Sequence, residues 1–453
     1  MASSSSSPMP ANGDGDYSVL TIASLEETVN GTKWLLDPSA GKESCCIFRV
    51  PQCIVEINQK TYGPHIVSIG PYHHGQHHLE MMQQHKRRFL RDLLAQTPPS
   101  TGHPGLGDYR QVVASMEQDI RECYSDQSTL NKFCRDELVD MMVLDGLFII
   151  ELICKISELS NTRIKDDPVF HFASVFTDIM RDLLRLENQI PFFVLQKLFD
   201  TSRASRRDSN SSLAQLVLKY FGRTVEIPHE AVEGKHLLDL LRLSFIDQSM
   251  RHKQNSGNTS SSEGQFIQSA KQLHLAGIKF KARHVQGAMS FLDLRFSNGV
   301  LEIPQITLDD LRTDLFRNFV AFEERYSHSP RHITTYAVFM SCLVRTPMDA
   351  TFLRDHNIIE NYLATDKEVA NFFRNMGKDV AFDIDECYLL KLFNDINEYQ
   401  RNVWHVQWAG FKFKYFDTPW SFLSASAAVI LLLFTAIQTF FAVWAYKHPP
   451  LSS

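Results

Sequence analysis

The sequence lacks the short signatures by which many enzymes and zinc proteins are recognised. It has no GxxxxGK phosphate loop, no GxGxxG, no GxSxG and no HExxH, which argues against P-loop enzymes, dinucleotide folds, α/β-hydrolases and zinc proteases. Its eight cysteines are scattered and form no C-x-x-C pair, so neither a zinc ribbon nor a thioredoxin-type motif is indicated. They are typical of small buried thiols in a reducing compartment.

An excess of positive charge and an apolar N-terminal run are also missing. The net charge is −6 and the pI is about 6.3, so no basic field favours binding to nucleic acid, and none is expected as a partner. Residues 1–17, MASSSSSPMPANGDGDY, are small, polar and rich in Pro and Gly. This composition predicts a disordered tail rather than a secretory signal.

A long apolar run is present near the other end of the chain. FLSASAAVILLLFTAIQTFFAVWAY, from Phe422 to Tyr446, holds 25 residues without a charge, whereas a helix needs about 20 to cross a bilayer core. Trp420 precedes the run, and Trp444 and Tyr446 end it, as in interfacial aromatic belts. The sequence therefore predicts a transmembrane helix over 420–446, a short tail over 447–453, and the lipid bilayer as a partner.

The orientation of this helix follows from the missing signal peptide. A C-terminal anchor without a signal peptide predicts a single-pass protein whose large N-terminal part faces the cytosol, and we expect the plasma membrane as its location. Asn30, Asn210 and Asn258 each begin an N-glycosylation acceptor pattern. Because glycans are added only on the lumenal side, these sites offer a test of the topology.

The rest of the chain has the hydrophobic periodicity of helices. It predicts a mainly α (α+β) fold in a single family domain over 18–416, with flexible loops near 201–212 and 249–264. The predicted helices cover residues 25–36, 78–94, 109–124, 136–156, 178–199 (in two parts), 307–326, 334–343, 366–374 and 387–416. The run 136–156 is apolar almost all round but contains Asp145 and Glu151, which predicts a core helix rather than a second membrane span.

One region changes to the periodicity of strands. In SFLDLRFSNGVLEIP, alternate residues from Leu292 to Phe296 are apolar, and Asn298–Gly299 is the dipeptide favoured in type I′ hairpins. Together with GIKFKA, from Gly277 to Ala282, this pattern predicts a small antiparallel sheet of about three strands near 277–304.

Five of the eighteen histidines lie in VSIGPYHHGQHHLEMMQQHKRRFL: His73, His74, His77, His78 and His85. The pairs His73/His77 and His74/His78 have the i, i+4 spacing of zinc ligands on a helix. One interpretation is therefore a metal-dependent enzyme that uses the His73–His78 cluster, with Glu80 or Asp145 as a further ligand or base.

The other interpretation of this segment is structural. Pro71 and Gly75 place the first two histidines in a turn, and no orienting partners can be identified for a metal site. We expect Tyr72 and His73 to pack inward from this turn. The following helix should bury a stripe of Leu79, Met82 and Phe89. On this interpretation the histidines are structural or on the surface, and the sequence assigns no catalytic, cofactor-binding or metal residue.

Several longer motifs carry a resemblance. FRVPQCI, VSIGPYHHG, MMVLDGLFIIEL, LENQIPFFVLQKLF, HLLDLLR, SAKQLHLAGIKFK and NIIENYLATDKEVANFF occur in this order. The chain resembles the plant proteins grouped as domain of unknown function 247. That resemblance implies a membrane-anchored plant protein with a mainly helical body and no established activity or cofactor. Some members are associated with self-incompatibility, and others with stress or developmental signalling.

Two positions depart from the family pattern. Gln83 stands where Glu is frequent, and Leu147 replaces the Cys of an Asp-Gly-Cys-Phe motif. A general acid or nucleophile at those positions would be missing here. The resemblance, the anchor and the absent signatures favour a non-enzymatic interaction or signalling protein with unknown protein partners; the metal-dependent enzyme is the alternative.

Overall fold

The computed structural model describes residues 41–57, 59–96, 104–157, 167–203, 211–230, 233–247, 264–283, 290–378, 380–401 and 419–447. The predicted tail at 1–17, the predicted helix at 25–36 and residues 402–416 of the last predicted body helix lie outside these ranges. Of the predicted tail at 447–453, Lys447 ends the last described helix and the other residues lie outside. So do most of the two predicted loops, at 204–210 and 249–263.

Helices make up most of the described structure. The helices of the first half are α1 Gln52–Ile57, α2 Gln59–Tyr62, α3 Glu80–Gln96, α4 Leu106–Ala114, α5 Glu117–Glu122, α6 Gln127–Leu130, α7 Arg135–Ser157, α8 Pro168–His171, α9 Ala173–Asp182, α10 Phe192–Arg203, α11 Leu213–Phe221 and α12 Leu237–Ser244. A short 3-10 turn, His77–Leu79, leads into α3.

The second half alternates short strands with helices. Its elements are α13 Ala270–Leu275, β1 Lys279–Arg283, β2 Arg295–Ser297, β3 Val300–Pro304, β4 Ile306–Leu308, α14 Asp310–Arg325, α15 His332–Leu343, α16 Pro347–Asp355, β5 Ile359–Asn361, α17 Asp366–Met376, α18 Leu390–Arg401 and α19 Pro419–Lys447. The mainly helical prediction is confirmed.

Helix α7 is the centre of the first half. Most of its residues from Leu138 to Ile156 are buried, and helices α3, α4, α10 and α11 pack around it. Gly146 lies where α10 comes closest, because a Cβ there would be 2.4 Å from a methyl group of Leu198. Each fully buried aliphatic or aromatic side chain on such a helix contributes about 1.5–3 kcal/mol of transfer free energy. The predicted core helix is confirmed.

The predicted sheet is present, but its pairing was predicted wrongly in part. Strands β2 and β3 form the antiparallel hairpin, and Asn298 and Gly299 both have the positive φ of a type I′ turn (50° and 74°). Strand β1 pairs with β3 in parallel, so the sheet is mixed, with strand order β1-β3-β2. Alternation specifies the buried face of a strand but not the direction of its partner, because both directions place every second side chain inward.

A second sheet and two helix boundaries also differ from the predictions. Strands β4 and β5 pair in parallel, so Thr307 lies in a strand. The cap of α14 is Asp309, whose side chain accepts from the Arg312 N–H. The helix predicted over 109–124 is divided into α4 and α5 near Met116. Short strands and breaks of this kind depend on tertiary contacts more than on local periodicity.

Helix α19 differs from the helices of the body because its apolar side chains are exposed. Its 29 residues span roughly 43 Å at 1.5 Å per residue. Its apolar stretch from Ser426 to Trp444 is not buried against any other part of the described chain. By length and composition this helix could cross a membrane.

Candidate functional site

The motif VSIGPYHHG forms an extended segment and turn inside the helical body. Residues 67–73 are buried, and Gly70 and Gly75 have φ values of +72° and +79°. A Cβ on Gly70 would be 2.6 Å from the carbonyl oxygen of Gln189 and 3.0 Å from the hydroxyl of Tyr124. A buried segment outside regular structure cannot pair its backbone with its own neighbours, so other groups must satisfy its N–H and C=O groups.

The first group that does so is the carboxylate of Asp182, at the end of α9. It accepts from the backbone N–H groups of His65, Ile66 and Val67 at 2.8–3.0 Å. The same carboxylate pairs with Arg185, whose Nε is 3.0 Å from Oδ1. Both side chains are fully buried. One charge therefore satisfies three consecutive donors, and its own charge is balanced locally.

The second group is Asn188, in the turn between α9 and α10. Its Oδ1 accepts from the Ile69 N–H at 2.7 Å. Its Nδ2 donates to the carbonyl oxygens of Val67 and Asp182, both at 2.9 Å. This side chain thus uses its acceptor and both donors to connect the turn to the segment.

The third group is the ion pair between Lys86 of α3 and Asp145 of α7. Asp145 accepts from the Gly70 N–H at 2.8 Å, and Lys86 donates both to Asp145 and to the Ser68 carbonyl. Neither side chain is exposed to solvent by more than 2%. Burial lowers the pKa of Lys86, and the carboxylate of Asp145 offsets part of that effect. Asp145 is thus satisfied by a backbone N–H and by a buried lysine.

The fourth group is Glu187, which joins the chain at Arg49 and Val50 to His73. It accepts from the Val50 N–H at 2.7 Å and from Arg49 at 3.1 Å, and its Oε2 is 3.0 Å from His73 Nε2. Burial raises the pKa of Glu187, but the hydrogen bond from His73 and the charge of Arg49 outweigh burial, so the pKa lies below its ordinary value.

Both ring nitrogens of His73 have partners in the protein. Nε2 faces Glu187, and Nδ1 is 3.1 Å from the side-chain nitrogen of Gln76. The ring thus lies between a carboxylate and a side-chain amide of the protein itself. Tyr72 and His73 pack inward as predicted, at 5% and 8% exposure.

The remaining histidines of the cluster point to separate places. His74 packs edge-on against Phe133. His78 Nε2 lies 3.4 Å from the Pro64 carbonyl, His85 lies beside Arg88, and His77 is exposed. Within the described ranges, no group of three or more His, Cys, Asp or Glu residues could hold a metal ion. Leu79, Met82 and Phe89 are each 1% exposed, which confirms the predicted core stripe.

A second buried polar cluster lies around Arg242, and the sequence did not reveal it. The guanidinium of Arg242 is 3.0 Å from Glu323, 2.9 Å from Asp239, and donates to Ser329 at 2.7 Å. Burial raises the pKa of Glu323, with partial offset by Arg242. The motif HLLDLLR contains Arg242, but Glu323 lies 81 residues further along the chain, so no local pattern indicated that the two form an ion pair.

His236 caps helix α12 inside this cluster. Its Nδ1 accepts from the Asp239 N–H at 3.2 Å, and its Nε2 lies 3.1 Å from the Cys46 carbonyl. This arrangement requires the neutral ring, because a protonated ring would lose the acceptor. Burial lowers the pKa of His236 to about 4, although Asp239 opposes the shift.

The two departures from the family pattern are also buried. Gln83 is 5% exposed on α3, and Leu147 is 1% exposed in the packing surface of α7. Neither position opens onto solvent. Four of the motifs, FRVPQCI, VSIGPYHHG, MMVLDGLFIIEL and LENQIPFFVLQKLF, meet in one buried polar network. We call it the segment clamp: Asp182, Arg185, Asn188, Lys86, Asp145 and Glu187 around residues 65–73.

A family model described as a plant protein of unknown function matches residues 47–434, and the chain belongs to this family. It is similar to a UPF0481 protein of Arabidopsis thaliana, with 39% identity over 91% of this chain and 89% of that protein. It is also similar to a putative UPF0481 protein of the same plant, with 24% identity over 88% and 90% of the two chains. No solved structure matches the chain.

Proposed function

We propose that this protein is a non-enzymatic, membrane-anchored interaction protein. Its helical body would be held at the cytosolic face of the plasma membrane by α19, where it would bind protein partners in signalling or recognition. One observation carries the proposal. In the segment clamp, charged side chains such as Asp182 and Glu187 form their hydrogen bonds with the protein's own backbone.

The apolar surface of α19 supports the membrane part of the proposal. Side chains such as Leu432, Phe434 and Phe441 are 60–70% exposed. Such a surface is costly in water and favourable in lipid. A continuous apolar helix of this length is therefore expected to insert.

Alkaline extraction of cell membranes tests the anchor. The intact chain should stay in the membrane pellet, whereas a Leu432→Arg/Phe434→Arg variant should move to the supernatant, because each central arginine costs about 2.5–3.5 kcal/mol on insertion. A matched Leu432→Ala/Phe434→Leu variant should stay in the pellet. Release of the intact chain by alkali would refute the anchor.

Proximity labelling from the intact chain in plant tissue tests the interaction role. A biotin ligase at the N-terminus should label a defined set of cytosolic proteins. The matched control is the same ligase fused to residues 419–453 alone, which keeps the anchor helix and lacks the body. If both fusions label the same proteins, the anchor alone sets the neighbourhood and the body is not the interaction module.

A further inference from the structure

Cys46 and Cys123 lie side by side although they are far apart in the chain. The Cys46 and Ile47 N–H groups both donate to the Cys123 carbonyl, at 2.9 and 2.8 Å, and the Ser125 N–H donates to the Ile47 carbonyl at 3.0 Å. These bonds form a parallel bridge that pairs Ile47 with Tyr124. Cys46 and Cys123 each precede the bridged pair by one residue, and the hydrogen bond from the Cys46 N–H to the Cys123 carbonyl makes them direct neighbours.

This backbone contact brings two cysteines together. Neighbouring extended segments lie about 4.8 Å apart where they pair, and a disulfide spans Cα separations of roughly 4.4–6.8 Å. The neighbouring Cys123 thiol is the first cause of the raised pKa of Cys46, and Cys123 Sγ lies 3.2 Å from the Asp119 carbonyl. Both cysteines are free in this structure. Cys45 lies on the opposite side of the extended chain from Cys46 because side chains alternate along it.

We propose that Cys46 and Cys123 are a thiol pair that closes to an intramolecular disulfide under oxidation. With hydrogen peroxide as the oxidant, one thiol loses its proton and the thiolate attacks a peroxide oxygen; the O–O bond breaks to give a sulfenic acid and hydroxide, which takes up the proton and becomes water. The second thiol, as its thiolate, attacks the sulfenic sulfur; the S–S bond forms, the S–O bond breaks, and the released hydroxide takes up the second proton to give a second water. Two thiols and one peroxide thus give one disulfide and two waters.

The environment of the pair keeps it reduced until an oxidant is abundant. The neighbouring Cys123 thiol and burial raise the pKa of Cys46, and the thiolate is the reactive form. Cys46 and Cys123 are only 2% and 5% exposed, so oxidation also requires a small oxidant or a local opening. The reaction should accordingly be slow at neutral pH and faster at alkaline pH.

The disulfide would link two chain segments that contact the segment clamp. Cys46 precedes Arg49 and Val50, which bind Glu187, and Cys123 precedes Ser125 and Asp126, which bind Tyr72. The disulfide would close a loop of about 78 residues. Long loops gain the most from closure, so the oxidised body should unfold at a Tm higher by roughly 5–10 °C. The inference does not depend on the proposed function.

Peptide mass spectrometry of the intact chain in detergent micelles tests the pair. After treatment with hydrogen peroxide, alkylation of the remaining thiols and digestion with trypsin, ESCCIFR (residues 43–49) should be linked to ECYSDQSTLNK (residues 122–132). A Cys134→Ser background removes the exposed cysteine that could join two chains. Dithiothreitol should release both peptides.

Three variants identify the linked atoms. Cys46→Ser and Cys123→Ser should each abolish the linked peptide and the Tm rise, whereas Cys45→Ser should keep both. A link that survives Cys46→Ser would assign the bridge to Cys45 and overturn the proposal. So would the absence of any linked peptide in the wild-type chain at peroxide concentrations that oxidise Cys134, a result that does not require a variant to fold.

Discussion

At the scale of single residues, the protein relies on buried charges that bind its own backbone. Asp182 and Arg185 are an ion pair, but the carboxylate also holds three backbone N–H groups. Such a pair adds little net stability over an apolar core of equal volume, because desolvation offsets most of the attraction. The pair instead fixes the position of residues 65–67, which belong to no helix or strand.

The pair Lys86–Asp145 allows a direct test of this view. Lys86→Met leaves the carboxylate buried without a cation and should lower the free energy of unfolding by about 3–5 kcal/mol. Adding Asp145→Asn removes that charge while keeping an acceptor for the Gly70 N–H, so the double variant should regain part of the loss. Circular dichroism during urea titration measures both.

The control for this pair is an exposed one. Lys281 is 3.4 Å from Glu302, with 67% of its side chain exposed. Lys281→Met should change the free energy of unfolding by no more than about 0.5 kcal/mol. Equal losses at Lys86 and Lys281 would contradict the role assigned to the buried charge.

His236 predicts how stability depends on pH. Its folded-state pKa, about 4, is below the ordinary value of 6.5, so between these pH values the unfolded chain binds a proton that the folded chain does not. This contribution to stability is full above pH 6.5 and is lost as the pH falls to 4, by about 3 kcal/mol in total. Urea titrations at several pH values measure the slope.

A variant assigns that slope to one ring. His236→Asn keeps a capping side chain but cannot titrate, so its stability should fall less steeply than that of the wild type between pH 6.5 and 4. His77→Asn changes an exposed ring and should keep the full slope. If His236→Asn and the wild type lose stability in parallel, another group is responsible.

At the scale of elements, the turn after residue 67 decides how α3, α7 and α9 meet. Gly70 and Gly75 both have positive φ, but only Gly70 faces other atoms: nothing lies within 4 Å of a Cβ on Gly75. The two glycines therefore separate the cost of the left-handed backbone from the cost of contact.

This difference predicts unequal effects of the same substitution. Gly75→Ala should cost about 1–2 kcal/mol, the price of a left-handed L-residue. Gly70→Ala adds overlap with the Gln189 carbonyl and should cost at least about 3 kcal/mol. The five tryptophans all lie outside residues 41–401, so circular dichroism rather than tryptophan fluorescence should follow unfolding of the body. Equal losses would contradict the close approach.

At the scale of the whole molecule, residues 402–418 connect the helical body, which contains the buried polar network, to the apolar helix α19. Cytosolic placement of the body predicts that Asn30, Asn210 and Asn258 carry no glycan, while an acceptor added after Ser453 on a C-terminal extension is glycosylated. Digestion with endoglycosidase H and gel mobility measure both. A mobility shift that depends on Asn210 would place the body in the lumen.

The sequence by itself determined the features that depend on local pattern. Helical periodicity gave the helices of the body, Asn298–Gly299 gave the hairpin turn, and the uncharged run from Phe422 gave α19. These follow from spacing and composition, which act over a few residues and leave a direct mark in the chain. Even the inward packing of Tyr72 and His73 was predictable from the turn residues around them.

Only the tertiary structure decided which distant residues meet. Lys86 and Asp145 are 59 residues apart, Arg242 and Glu323 are 81 apart, and Arg49 and Glu187 are 138 apart. The parallel pairing of β1 with β3 and the neighbouring thiols of Cys46 and Cys123 are of the same kind. No local pattern specifies such partners, because a buried charge can be satisfied by any opposite charge that the fold brings within reach.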